Sequence, residues 1–97
     1  MIPGTVSKLT ETTVASAASI VAKSDIVRVT GNTQVDTIVP PFGGANNVSI
    51  WVIAITAGNL VVSAAGNVLI GQTLITNRLY IFVWSKTTQK WYIHGVV

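Results

Sequence analysis

The chain has no cysteine and a single histidine, His94. Disulfide staples and cysteine-ligated metals are therefore excluded, and one histidine cannot build a histidine cluster. Charge is scarce as well: only 9% of the 97 residues are Asp, Glu, Lys or Arg, and residues 37–77 contain none of the four. Long apolar runs are missing too. The longest in that uncharged stretch, residues 50–55, is far short of the roughly 20 residues a membrane-spanning helix needs. The opening Met1-Ile2-Pro3-Gly4-Thr5 lacks the basic start and apolar core of a secretory signal, and Met1 reads as the native start of a complete gene product.

These absences converge. A chain this size buries only about 60–65% of its unfolded surface, so its core is thin. With disulfides and metals removed, oligomerisation is the remaining support. A small soluble protein normally solvates its faces with charge, and 49% of this chain is hydrophobic. Much of its neutral surface is expected to be covered by copies of itself or by a larger particle.

The net charge of +3 comes from Lys8, Lys23, Arg28, Arg78, Lys86 and Lys90 against Glu11, Asp25 and Asp36. The six cations are scattered, with no cluster or stripe of the kind that tracks a phosphate backbone, so no nucleic-acid partner is expected. Catalytic constellations are equally thin. His94 has no acid beside it, no nucleophile elbow surrounds any serine, and the three acids are too dispersed for a convergent carboxylate pair. No cofactor, metal or enzymatic activity is expected. Gly43-Gly44 and the two Ala-Gly-Asn segments lack the spacing of a phosphate-binding loop and read as turns.

Residues 1–24 are rich in Ser, Thr and Ala with isolated aliphatics, and read as an extended N-terminal arm that turns into a strand near Ile20. Residues 25–97 read as the β-domain. Val27 and Val29 alternate with Arg28, and Gly31-Asn32 is a turn signal. The prolines at 40 and 41 end the strand of residues 34–39. Residues 48–55 are apolar on both faces, the mark of a strand buried on both sides or lying in a subunit interface. Ala57-Gly58-Asn59 followed by three aliphatics is echoed by Ala65-Gly66-Asn67 and three more, in the strand–turn rhythm of sandwiches, barrels and short β-helical turns. In residues 78–84, Tyr80, Phe82 and Trp84 share one face and Leu79, Ile81 and Val83 the other. Residues 85–90 form a polar hairpin loop, and residues 91–97 close the fold. The expected core or oligomer interface is Val48, Ile50, Trp51, Val52, Ile53, Tyr80, Phe82 and Trp84, with Trp51 buried. The aromatic residues leave a carbohydrate platform or a base-stacking surface open as alternatives.

The run from Val27 to Pro41, with its Val-Arg-Val-Thr-Gly-Asn-Thr turn and its Ile38-Val39-Pro40-Pro41 exit, resembles a pattern in small structural proteins of tailed bacteriophages. In that pattern a Gly-containing loop, a strand, an Ala-Gly-Asn turn and a closing Trp-Tyr strand follow, matched here by Lys90-Trp91-Tyr92. The resemblance covers roughly residues 20–97. It implies a virion structural component, and the shortness of the chain favours a capsid decoration (cement) protein over a fibre.

The expectation is thus an all-β, small single-domain sandwich or barrel with an N-terminal arm. It is expected to form a homotrimer bound to the major capsid protein on the outer capsid surface of the virion, made in the host cytoplasm, with no membrane partner. Lys8, Leu9, Val14, Ile20 and Lys23 are the expected capsid-contact residues of the arm. The alternatives are a tail or fibre module contacting host-surface glycan, and an OB-like nucleic-acid binder.

Overall fold

A computed structural model describes residues 8–95. These residues form one all-β domain of nine strands and no α-helix: β1 (Glu11–Ala15), β2 (Ser19–Val21), β3 (Ile26–Thr30), β4 (Thr37–Val39), β5 (Val48–Ala54), β6 (Leu60–Val62), β7 (Gln72–Leu74), β8 (Leu79–Ser85) and β9 (Lys90–Gly95). A short 3-10 turn, Pro41–Gly44, separates β4 from β5. Five strands make a large mixed sheet in the order β1-β3-β5-β8-β9. Two smaller sheets, β2-β4 and β6-β7, complete the fold.

The first three strands of the large sheet run parallel, with Glu11 opposite Ile26 and Ile26 opposite Trp51. The chain reaches each next strand by a crossover that itself lays down a parallel rung: β2 pairs with β4, Ile20 opposite Ile38, and Val35 bridges to Val62. The N-terminal part is therefore wound as stacked coils, each coil giving one strand to the large sheet and a short rung to the opposite side. The C-terminal strands then change direction. β8 pairs antiparallel with β5, and β9 with β8 across a polar turn. Among the described residues β1 and β9 do not pair, so the sheet is open and not a closed barrel.

Asn67 substitutes for a strand in the last coil. Its side-chain Oδ1 accepts from the Ile38 N–H (2.9 Å) and its Nδ2 donates to the Ile38 carbonyl (2.7 Å). The amide thus closes the exposed rung of β4 with two hydrogen bonds, as a neighbouring backbone would. This is where the second Ala-Gly-Asn copy departs from the first. Val68-Leu69-Ile70 is no strand; Val68 makes only an isolated bridge to Trp91.

The arm expected over residues 1–24 is corrected from Glu11 onward. Thr12, Thr13 and Val14 are β-branched and suit a pleated strand. They pair residue by residue with β3, extended by hydrogen bonds from the Ser16 N–H to the Thr30 carbonyl (2.7 Å) and from the Ile26 N–H to the Thr10 carbonyl (2.9 Å). Ile20 and Ala22 belong to the hydrophobic core. The arm reading of residues 1–7, and the close of the last strand at 96–97, lie outside the described residues.

The core lies between the large sheet and the short rungs. Val27, Val29, Ile50, Val52, Ala54, Tyr80, Phe82, Trp84 and Trp91 face it from the large sheet, and Ile20, Val35, Ile38, Leu60, Val62 and Leu74 from the other side. Trp91 is wholly buried and stacks edge-on against Phe82 (6.3 Å between centroids) and Trp84 (5.3 Å). Edge-to-face contact suits the charge distribution of aromatic rings. Both buried indoles are satisfied: Trp91 Nε1 donates to the Ile38 carbonyl (2.8 Å) and Trp84 Nε1 to the Gly44 carbonyl (3.0 Å). No buried side-chain N or O among the described residues lacks a hydrogen-bond partner.

Candidate functional site: the outer face of the large sheet

Alternation along each strand gives the large sheet a second face, and the register fixes its rows. One row runs Glu11–Ile26–Trp51–Ile81–His94, across all five strands. The next row runs Thr13–Arg28–Ile53–Leu79, and on the other side Ser49 stands beside Val83 and Tyr92. On the three inner strands Arg28 is the one charged residue of this face among the described residues. Trp51 is 39% exposed, Val83 41% and Tyr92 39%. Ile26, Ile53, Leu79 and Ile81 are half-buried. An antiparallel or mixed sheet with one solvated face normally carries polar residues there. Here the inner strands present Ile26, Trp51, Ile53, Leu79, Ile81 and Val83 around the single charge of Arg28, a mostly apolar surface of the kind that marks an interaction site.

The residues expected in the core or interface divide between the two faces. Ile50, Val52, Tyr80, Phe82 and Trp84 are core, and Val48 is half-buried against it. Trp51 is not buried: with Val52 inward, the pleat turns Trp51 and Ile53 outward. The sequence places Trp51 in the core or in a subunit interface, and the core is the half of that expectation the structure corrects. A strand apolar on both faces does not reveal from its own sequence which face the core takes.

The expected capsid-contact residues also separate. Ile20 is buried, and Val14 packs against the core, so neither is free to bind elsewhere. Lys8, Leu9 and Lys23 are exposed. Leu9 lies with Asp25, Ser49 and Trp51 around a shallow depression of 200 Å³, at the margin of the apolar face. Lys23 borders an adjoining cleft of 350 Å³ shared with Asp25, Pro41 and Phe42. Phe42 is 74% exposed and sits at φ 57°, a left-handed conformation uncommon for a bulky residue. Sequence reasoning missed it, because an aromatic after two prolines reads as loop filler. Its signal is the Pro-Pro-Phe-Gly-Gly run, whose glycines let the backbone turn beside it.

The titratable groups do not assemble. Asp25 accepts from the Thr10 N–H (2.8 Å) and hydroxyl (3.0 Å), which hold its carboxyl below the ordinary 3.8. Asp36 accepts from Gln34 Nε2 (2.9 Å) and the Ser63 hydroxyl (2.6 Å), which likewise lower it. Each aspartate pins a loop to a neighbouring coil. Among the described residues no group of three or more His, Asp or Glu side chains is placed to hold a metal, and no helix is long and apolar enough to cross a membrane. Comparison with protein-family models, with curated proteins and with solved structures found no match.

Proposed function

We propose that this chain is a structural component of a bacteriophage particle. It associates as a homotrimer, binds the major capsid protein on the outer capsid surface and stabilises the head as a decoration protein, without catalytic activity. One observation carries the reading: the outer face of the large sheet is mostly apolar across its three inner strands and holds a single charge there. Such a face favours burial against another protein. The sequence resemblance to small virion proteins supports the particle in question. The cations support a protein partner over nucleic acid, since they are dispersed. Arg28 lies on the outer face, Lys86 in the β8–β9 turn, and Lys90 donates to the Gly66 carbonyl. With Val14 and Ile20 committed to the fold, capsid contact falls to the exposed end around Lys23 and Phe42.

A second reading has its own observation. Trp51 and Tyr92 are half-open aromatic rings on one face, the equipment of a glycan-contacting tail or fibre module. The two readings separate experimentally. Purified protein added to undecorated heads cosediments with them at a saturating stoichiometry if it is a decoration protein. If it binds no heads and its tryptophan fluorescence responds to host-surface glycan, the glycan reading replaces it.

A further inference from the structure

We propose that the outer face of the large sheet is covered by a second copy of this chain, flank against flank about an axis parallel to β5. Glu11 of one subunit then meets His94 of the partner subunit, and the Trp51 rings converge on the axis. The inference rests on the self-association in the proposed function and names the surface and the contacts.

The layout of the row through Trp51 carries the proposal. β5 is the middle strand of five. On one side of Trp51 stand Ile26 and then Glu11; on the other stand Ile81 and then His94. A rotation about an axis parallel to β5 preserves height along the strands, so each row meets its own row in the neighbour. It also brings the β1 flank of one copy to the β9 flank of the next. Isoleucine then faces isoleucine, and a carboxylate faces an imidazole that can donate to it. The row through Trp51 is polar at its two ends and apolar between, and the polar ends are opposite in chemistry. Complementary groups at an interface rim fix register and exclude wrong partners.

The width of the sheet suits three copies. Five strands about 4.8 Å apart make a face roughly 20 Å wide. Three such faces closed into a triangular prism leave each sheet about 6 Å from the axis, near half the ~10 Å spacing of packed sheets. Large side chains at the centre of each face are needed to fill that space, and Trp51 and Ile53 are there. Covering the face also joins the rims, so that the outer edge of β1 and that of β9 beyond Trp91, which is bridged to Val68, approach each other and are shielded from uncontrolled strand pairing.

The test is sedimentation equilibrium of the full chain at micromolar concentration, for wild type, Glu11→Lys, His94→Glu and the double variant, with Trp51→Asp as a central disruption. Circular dichroism and thermal melts establish that each variant is folded. Glu11 and His94 are exposed on edge strands, so their exchange leaves the core untouched. The expected result is a wild-type trimer, association weakened about tenfold by either single exchange, recovery to near wild type in the double, and monomers for Trp51→Asp. If the wild type is itself monomeric, this inference and the self-association both fail. If the wild type is trimeric and neither Trp51→Asp nor the single exchanges weaken it, the trimer stands and this face is not its interface. If both single exchanges weaken association and the double does not recover it, the Glu11–His94 pairing is overturned.

Discussion

Replacing Trp91 by alanine tests how the core is held. The ring is wholly buried, packed between Phe82 and Trp84, and its Nε1 donates to Ile38 across the core. Large-to-small changes at buried aromatic sites cost about 3–5 kcal/mol. The lost hydrogen bond adds about 1 kcal/mol. The Ile38 carbonyl keeps its bond from Asn67 Nδ2, so it is not orphaned, and that addition stays at the low end. A total of about 4–6 kcal/mol is a large part of the roughly 5–15 kcal/mol that stabilises a small domain. Trp91→Phe keeps a ring against Phe82 and should cost clearly less. Trp51→Ala serves as the contrast, since that indole faces outward. At protein concentrations low enough to suppress association, it should cost under about 1.5 kcal/mol, nearer to surface changes than to core ones. Urea unfolding of the three variants by far-ultraviolet circular dichroism measures the series. A Trp91→Ala loss under about 1 kcal/mol, or a larger loss for Trp51→Ala than for Trp91→Ala, refutes the assignment of the two faces.

Other outcomes follow from the same structure. Asn67→Ala removes both bonds to the Ile38 backbone and should cost about 1–3 kcal/mol; unchanged urea unfolding would mean that the side chain is not the closing rung. Gly66→Ala places a Cβ against the backbone of Asp36 and the hydroxyl of Thr37, and overpacking of about 3 kcal/mol or more is expected, read as loss of soluble yield or a lowered melting temperature. Deleting residues 1–20 removes β1 and the buried Ile20, so the truncated chain should lose cooperative melting; a truncated protein as stable as the full chain would show that β1 is dispensable. The lowered carboxyls of Asp25 and Asp36 contribute stability above the ordinary 3.8, lost as the pH falls through their lower folded values. Melting temperature should therefore hold down to about pH 4 and decline below it, with a shallower decline in Asp25→Asn; a melting temperature that rises on acidification through this window contradicts the assignment.

The strands whose faces differ in chemistry were legible in the sequence. Val27 and Val29 against Arg28 gave both element and orientation, while Tyr80, Phe82 and Trp84 against the aliphatic face of β8 gave the element and left the aromatic face as core or interface. The polar turn between β8 and β9 was legible for the same reason: a charged and Thr-rich segment between two apolar alternations. Three features were not. β1 has no inward residue larger than Val14, so its pattern reads as solvated chain until β3 supplies the partner. Parallel pairing between strands a whole coil apart leaves no local mark, unlike a hairpin, and the stacked coils were hidden accordingly. Asn67 resembles the Asn of an ordinary Ala-Gly-Asn turn, and only the position of Ile38 reveals it as a rung. The candidate interface was half legible. The lack of charge in residues 37–77 pointed to a covered surface, while the row from Glu11 to His94 joins strands that the linear sequence keeps far apart.

The central claim is that the outer face of the large sheet is covered by other copies of the chain. The three tryptophans make it directly measurable, because Trp84 and Trp91 are buried in the subunit while Trp51 alone is 39% exposed. Acrylamide quenching of tryptophan fluorescence across a dilution series therefore reports on Trp51. The account predicts an accessible tryptophan in dilute, dissociated protein that becomes protected as the trimer forms, with the change absent in Trp51→Phe. A Trp51 signal equally quenchable at every concentration, in protein shown by sedimentation to be assembled, would contradict it.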